Sequence, residues 1–333
     1  MNIGIVGASG AVGLEIIKLL QERNFNLSSL TLFGSKRSAG KSIKFRNKRL
    51  VIKQLKSSSL KDFDLIFFSA GSKVSKQYAP IAAENNCIVI DNSSAFRMKK
   101  DIPLIVPEVN GSDLERNKSK IIANPNCTTI ISLMAIKPLY DLAPIKRIIA
   151  TSFQSVSGAG NLGMEELEKN TKNFLLKKKN HKNRVFQRNI AFNVIPKIGE
   201  ITKNLYSEEE MKLHNESRKI LSDKKISVTA TTVRVPVLRS HSISLNIEFK
   251  NKITLNKAKK ALNNFPGLKN IDLEDSISFP TPIDSSNKDE CLVGRLRIDY
   301  SIKNGICLWV VGDQIRKGAA LNAVQIAECL QEI

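Results

Sequence analysis

Acidic side chains are scarce in this chain: 31 Asp and Glu stand against 52 Lys and Arg in 333 residues, a formal charge of +21. Cysteines show no pairing pattern. The five (Cys87, Cys127, Cys291, Cys307, Cys329) form no CxxC pair and no regular framework. That excludes a disulfide scaffold, gives no reason to expect a metal, and points to the reducing cytosol. No apolar run approaches the ~20 residues a membrane helix needs, and the chain opens on a strand pattern, not a charged segment with an apolar stretch. The expectation is a cytoplasmic protein with no targeting segment and no membrane span. Internal repeats, low-complexity linkers and heptad arrays are also lacking.

The missing negative charge raises the question of a nucleic-acid partner. Its distribution answers against one, because lysines are scattered through nearly every segment. The densest cluster, Lys172 to Arg188, holds only Phe174 and Phe186 as aromatics, too few to build a stacking platform. It reads as a solvated helix end and loop, and a positive field also suits a small anionic substrate.

With 42% hydrophobic residues, the chain can bury substantial cores, and its length predicts two domains. A buried-strand pattern at Asn2–Val6 runs into Gly7-Ala8-Ser9-Gly10-Ala11-Val12-Gly13 and then an amphipathic helix from Leu14 to Arg23. Strand, glycine turn and helix make a dinucleotide-binding opening, with phosphates at the helix N-terminus. The spacing is GxxGxxG, not GxGxxG. After the next strand, Ser29–Phe33, the position that classifies the adenosine ribose reads Gly34-Ser35-Lys36-Arg37-Ser38, with no carboxylate for a 2′-hydroxyl. Ser35, Arg37 and Ser38 suit a 2′-phosphate, which favours NADP over NAD. The other reading is an ordinary basic turn.

Further strands at Leu65–Ser69, Cys87–Ile90 and Ile121–Ala123, with a helix near Val74–Glu84, predict a mostly parallel sheet through residue 124. Beyond it come strands at 145–156, 226–236, 242–249, 293–300 and 306–311, interleaved with helices near 162–178 and 208–221. These longer strands predict an α+β domain with a mainly antiparallel sheet. The last helix packs back on the first domain. The expected organisation is an α/β, Rossmann-type domain over 1–124 completed by 318–333, and a second domain over 125–317.

Between the two, Asn124-Pro125-Asn126-Cys127-Thr128-Thr129 places a cysteine where an apolar run ends and a long helix begins. Unpaired backbone N–H groups and the helix dipole favour a thiolate there, so Cys127 is a candidate nucleophile. A nucleophilic thiol needs a proton acceptor, and there are three histidines. His181 lies in the Lys-rich loop and His214 in a charged helix. His241, in a break between strands within Arg239-Ser240-His241-Ser242, is the better candidate, an accessible imidazole among small hydroxyls; a hydrogen-bonded loop histidine is the other reading. Gln154 ends a strand where it could hold a carbonyl oxygen or a water, or serve as a polar strand end. Arg234, among Val233, Val235 and Pro236, reads as an inward arginine able to grip a carboxylate, and Arg97 follows a sheet strand in a loop where α/β ligands bind. Glu209 and Lys212 share one helix face, with a solvated salt bridge as their alternative.

Taken together, GASGAVG, FGSKRSAG, DNSSAFRM, NPNCTT, FQSVSGAG, EEEMK, VRVPVLRSHS and the Lys317–Asn322 segment resemble the aspartate-semialdehyde dehydrogenase family, in order and over nearly the whole chain. The VRVP and RSHS motifs place the resemblance in one branch. It implies reversible NADPH-dependent reduction of aspartyl phosphate to aspartate semialdehyde plus phosphate, in lysine, threonine, methionine and diaminopimelate biosynthesis, by a homodimer or dimer of dimers whose second domain is catalytic and dimerising. It implies Cys127 as nucleophile, His241 as acid/base and Gln154 orienting the intermediate. Arg234 would take the α-carboxylate, Glu209 the ammonium, and Arg97 with Lys212 the phosphate, with Asn126 nearby. For the cofactor it implies Gly7, Ser9, Gly10, Ala11, Val12, Gly13, Ser35, Arg37, Ser38, Gly71, Ser157, Gly158, Gly160 and Asn322. The runner-up is N-acetyl-gamma-glutamyl-phosphate reductase. Its substrate has a blocked amine, leaving Glu209 without a purpose, and its cysteine turn usually carries Gly before Cys.

Overall fold

The computed structural model describes residues 1–178, 183–271 and 279–332; His181 and the middle of the Lys-rich stretch 177–188 lie outside them. The chain divides into two units, Met1–Asn126 with the segment from Ala319 onward, and Cys127–Gly318.

In the first unit, β1 (Asn2–Val6), α1 (Ala11–Glu22), β2 (Ser29–Gly34), β3 (Ser42–Phe45), β4 (Lys48–Val51), β5 (Lys53–Gln54), β6 (Leu65–Phe68), α2 (Ser72–Glu84), β7 (Ile88–Asp91), α3 (Pro107–Asn110) and β8 (Ile121–Ala123) follow in chain order. Among the described residues one six-stranded sheet runs β5-β2-β1-β6-β7-β8, with every pairing parallel. That order reverses direction about β1, which creates a crevice at the carboxyl ends of β1 and β6. β6 is Leu-Ile-Phe-Phe and buried throughout, as a parallel strand covered on both faces must be. The C-terminal helix Leu321–Glu332 belongs to this unit, packing on α1, and Arg23 pairs with its Glu328 at 2.7 Å. The antiparallel β3–β4 hairpin, turning at Arg46 with φ 52°, is absent from the sequence reading.

The second unit holds α4 (Cys127–Tyr140), β9 (Ile145–Gln154), α5 (Asn161–Leu175), α6 (Glu208–Ile220), β10 (Ser227–Arg234), β11 (His241–Phe249), α7 (Leu255–Asn264), β12 (Leu268–Asn270), α8 (Pro282–Ser285), β13 (Cys291–Asp299) and β14 (Gly305–Gly312). Its sheet order is β10-β9-β11-β14-β13-β12. β11 runs antiparallel to both β9 and β14, and β13 to β14, while the edge strands β10 and β12 are parallel to their neighbours. α4 packs on β11, β13 and β14, so its residues from Thr128 to Ile136 are all buried. Each large aliphatic side chain it buries contributes about 1.5–3 kcal/mol, and this holds the helix start in place. The opposite sheet face is only half-buried along Thr151, Phe153, Ser244, Asn246 and Trp309, where the Phe153 and Trp309 rings lie 5.5 Å apart.

Candidate active site and cofactor cleft

In the first unit, α1 approaches the β1 turn so closely that only glycine fits. A Cβ at Gly13 would lie 2.3 Å from the Gly7 carbonyl oxygen, and one at Gly7, whose φ is +88°, would lie 2.7 Å from the Ser69 carbonyl. Gly10 caps α1 with no side chain, and a Cβ there would meet only the Gly7 oxygen, at 3.4 Å. The amides of the first helical turn therefore face open ground. In front of them, at the switch point of the sheet, lies a cleft of about 460 Å³ whose lining includes Gly7, Ser9, Gly10, Ser35, Lys36 and Ser38. This cradle fits a dinucleotide: open amides for the pyrophosphate, a cation and hydroxyls beyond, and no carboxylate in the lining. Lys36 lines the cleft; Arg37 is exposed beside it and Ala11, Val12 and Gly71 stand outside its lining. Gly71, φ +84°, caps α2.

Asn322 is placed differently from what its expected cofactor role suggests. It is fully buried, and its amide donates to the Ile105 carbonyl at 2.9 Å and to Asn124 Oδ1 at 2.7 Å. Asn124 in turn donates to Asn92 Oδ1. Arg97 is buried in the same unit, with Nε donating to the Asn124 carbonyl and Nη2 to that of Asn92. Asn126, also buried, ends this unit.

In the second unit the geometry converges at one end of the sheet. β9 and β10 are parallel and in register, pairing Gln154 with Arg234 at their carboxyl ends, and the antiparallel β11 begins there with His241. α6 packs on β10 and brings Glu209 in from its first turn, which the Ser207–Glu210 capping box secures. Gln154, buried, donates to Thr128 Oγ1 at 2.8 Å and to Glu209 Oε1 at 3.2 Å, so one amide links the cysteine helix to the carboxylate. Glu209 also receives Lys212 Nζ at 2.9 Å; with the carboxylate side chain only 8% exposed, this is not a solvated surface pair. Arg234 is buried, donates to the Ser155 carbonyl at 2.6 Å and lies over the Phe186 ring. Burial lowers its pKa from the usual guanidinium range, while Glu209 and Cys127 hold it up.

Cys127 opens α4 and is partly exposed; Gly318 closes on it so tightly that a Cβ there would fall 2.9 Å from the cysteine Cβ. Cys87 shows the contrast, a buried thiol whose pKa burial and Asp64 push up to about 12.

The expected accessible imidazole of His241 is not found: the residue is fully buried. The physical reason is close packing by the 155–158 turn. Ser155 N and Oγ both lie 3.1 Å from Nδ1, and Gly158 passes so near that a Cβ would reach Nε2 at 3.4 Å and the Arg234 Nη1 at 2.8 Å. Nε2 is left without a partner. Burial, then the Arg234 charge, lowers the His241 pKa from 6.5 to about 3, against the pull of Glu209 and the Ser240 carbonyl, so the ring is neutral. His214 is satisfied structurally, by the Val228 carbonyl at 2.7 Å and Arg218 at 3.0 Å. Gly160, φ +78°, caps α5, and Ser157 is buried beneath the turn. Thr128, Ser155, Lys36 and Gln314 are site neighbours the sequence reading did not single out. Lys36, Thr128 and Ser155 lie inside the FGSKRSAG, NPNCTT and FQSVSGAG motifs, whereas Gln314 carries no local signal.

No cluster of three or more His, Cys, Asp or Glu able to hold a metal occurs among the described residues, and no helix there is long and apolar enough to cross a membrane.

A parallel-sheet unit with a dinucleotide cradle, and a second unit presenting a helix-start cysteine, define a nicotinamide-dependent dehydrogenase. Family comparison agrees: residues 2–117 match the semialdehyde dehydrogenase NAD binding domain and residues 136–317 the semialdehyde dehydrogenase dimerisation domain. The chain is 47% identical to the aspartate-semialdehyde dehydrogenase of Synechocystis sp. over 100% of its own length and 98% of the relative, and 46% identical to that of Aquifex aeolicus, covering 99% and 97%. The crystal structure of aspartate semialdehyde dehydrogenase II from Vibrio cholerae complexed with ASA superposes with a TM-score of 0.94 at 43% identity, covering 99% of this chain and 98% of that one. The chain belongs to the aspartate-semialdehyde dehydrogenase family.

Proposed function

We propose that this protein catalyses the reversible, NADPH-dependent reduction of L-4-aspartyl phosphate to L-aspartate 4-semialdehyde and phosphate, in the biosynthesis of the aspartate-derived amino acids. The observation that carries the reading is the meeting of Gln154, Glu209, Arg234 and His241 at one sheet end, tied through Thr128 to the Cys127 helix. A substrate bearing carboxylate, ammonium and acyl phosphate needs such mixed charges.

Cys127 Sγ, as thiolate, attacks the acyl carbon; the carbon–oxygen bond to phosphate breaks and a thioester forms on the enzyme. Arg234 grips the α-carboxylate, and Glu209, its second oxygen held by Lys212, faces the ammonium. Gln154 stays fixed by Thr128 and Glu209 and orients the acyl group. When bound, the reduced nicotinamide supplies the hydride that converts the thioester to a thiohemiacetal. His241 then manages the oxyanion proton as the carbon–sulfur bond breaks and Cys127 leaves as thiolate. In the reverse direction the same groups take aldehyde and phosphate back. Arg97, Asn126 and Lys212 serve the phosphate.

We assign the cofactor to NADP. Lys36, Ser35 and Ser38 line the cleft beyond the glycine turn, and they suit a 2′-phosphate where a carboxylate would repel it. The first unit is the cofactor domain, and the second carries catalysis and dimerisation. The half-buried sheet face around Phe153 and Trp309 suits a homodimer, itself able to pair into a dimer of dimers.

The test is phosphate-dependent NADPH formation from aspartate semialdehyde, with kcat/KM compared for NADP and NAD and for N-acetylglutamate semialdehyde as rival substrate. Faster turnover of the rival, or an NAD preference, overturns the corresponding assignment.

A further inference from the structure

We propose that Gln314 is a positioning residue that, through Ser157 and Ser155, holds His241 in the tautomer with its proton on Nε2. The inference deepens the catalytic reading above and rests on it for the role of His241. It stands on a chain of buried hydrogen bonds whose directions can be worked out donor by donor.

The Ser240 backbone N–H points at the Gln314 amide oxygen, at 2.7 Å. A backbone N–H can only donate, so this contact fixes which end of the amide faces Ser240. The Gln314 amide nitrogen is thereby the group facing Ser157 Oγ, to which it donates. Having accepted there, Ser157 turns its own proton toward Ser155 Oγ, 3.1 Å away. Ser155 in turn directs its hydroxyl proton at His241 Nδ1, which the Ser155 backbone N–H also addresses. A proton on Nδ1 would collide with both. The neutral ring therefore carries its proton on Nε2, the atom left unpartnered beside Gly158 and Arg234.

The frame around Gln314 is correspondingly stiff. Asp313, fully buried, accepts from Arg239 Nε at 2.6 Å, from the Asn287 backbone N–H at 2.7 Å and from those of Ile315 and Arg316 at 3.0 Å. It thus joins the residue two before His241 to the turn that presents Gln314. Ser240 itself holds φ 75°, left-handed backbone that a non-glycine residue adopts only when its surroundings impose it. One side chain therefore clamps both segments that set the imidazole: the Ser240 turn behind its backbone and the 155–157 turn behind its ring. With Nε2–H facing the reaction, the neutral ring donates a hydrogen bond to the substrate oxygen as charge develops there and keeps its proton.

The experiment is ¹⁵N NMR of the full-length protein labelled at its three histidines, the His241 signals being assigned by their absence in His241→Asn. At pH 7 the wild type should show an unprotonated Nδ1 and a protonated Nε2. Gln314→Glu keeps the Ser240 contact but offers only acceptors, so it reverses the Ser157 and Ser155 hydroxyls and should bring in a fraction of the Nδ1–H tautomer, opposed then by the Ser155 backbone N–H alone. Ser157→Ala cuts the relay between Gln314 and Ser155, so the shift produced by Gln314→Glu should vanish in the Gln314→Glu/Ser157→Ala double variant and persist when Ser157→Thr replaces Ser157→Ala. In turnover we expect Gln314→Glu to lower kcat about 100-fold with substrate KM changed less than about 2-fold, short of the ~10⁴ that a wrong tautomer costs a serine protease. A wild-type ring protonated on Nδ1 overturns the proposal, and that measurement needs no variant to fold. So does an unmoved tautomer in Gln314→Glu, including the case where only the KM for NADP rises. Because the spectra are read without substrate, absence of activity toward aspartate semialdehyde would refute the proposed reaction while leaving the tautomer result to stand or fall separately.

Discussion

Gly158→Ala is the sharpest perturbation of the site, because it adds one methyl group without touching a chemical group. The backbone at Gly158 is not in the left-handed region, so alanine meets no conformational penalty there. The new Cβ would stand 2.8 Å from Arg234 Nη1 and 3.3 Å from His241 Cε1. An ordinary contact needs at least 3.4 Å, so the guanidinium must retreat by about 0.6 Å and the imidazole by about 0.1 Å. Arg234 has little room to do so, being buried, bonded to the Ser155 carbonyl and stacked on Phe186. A misplacement of about 1 Å costs on the order of 100-fold in rate. We therefore expect kcat/KM for aspartate semialdehyde to fall ~10- to 100-fold, about 1.4–2.7 kcal/mol of lost transition-state stabilisation. Overpacking should also cost about 1–3 kcal/mol of stability. The assay is steady-state NADPH formation alongside thermal unfolding, with Gly111→Ala, where no neighbour lies within 4 Å, as the neutral control. Wild-type kcat/KM in Gly158→Ala, or an effect confined to the cofactor KM, would refute the proposed substrate-binding role of Arg234 behind Gly158.

Two further outcomes are expected. Cys127→Ser should nearly abolish turnover while leaving NADPH binding, followed by nucleotide fluorescence, intact; near-normal turnover would remove Cys127 from the role of nucleophile. His241 should make stability pH-dependent. With a folded pKa of about 3 against 6.5 unfolded, the neutral ring contributes stability that is fully present above pH 6.5 and is lost as pH falls toward 3. Between pH 7 and pH 5 this amounts to about 2 kcal/mol. Urea unfolding at the two pH values checks it, and His241→Asn should remove that part of the slope; an unchanged slope would mean that the ring is solvated.

The fold was legible where apolar periodicity was strong. The strands at Asn2–Val6 and Ile121–Ala123 and the cysteine helix carry runs that only buried elements tolerate, and they occur where the pattern put them. The β3–β4 hairpin was not legible, since Ser-Ile-Lys-Phe and Lys-Arg-Leu-Val alternate too weakly and carry too much charge to signal strands. The helix Leu255–Asn264 was missed for the same reason: it buries only Ala258 and Leu262 in a stretch rich in Lys and Asn. Side-chain direction was the harder limit at the cofactor cleft. Lys36 and Arg37 are neighbours in one turn, yet Lys36 lines the cleft and Arg37 stands outside its lining, a difference no spacing encodes.

Glu209 and Lys212 show why local spacing cannot decide function. An i,i+3 carboxylate–amine pair on a helix is compatible equally with a solvated ion pair and with a binding site. What separates the two is distant in sequence: Gln154, at the end of a strand, reaches Glu209 Oε1, and Arg234 on the neighbouring strand feels its charge. Together these turn an exposed-looking carboxylate into a buried one that, with Arg234, acts on a neutral ring. His241 is kept uncharged by burial and by Arg234, so the positive charge in the pocket resides on the arginine. Under the proposed substrate roles, the α-carboxylate neutralises that arginine and the ammonium neutralises Glu209, so binding removes the second influence holding the imidazole pKa down together with the smaller one holding it up. Substrate binding should thereby make His241 easier to protonate at the moment a proton has to be held near the reacting oxygen. If Arg234 takes that carboxylate as proposed, the same group also adjusts the imidazole beside it, a coupling that follows from the two side chains sharing the Gly158 wall.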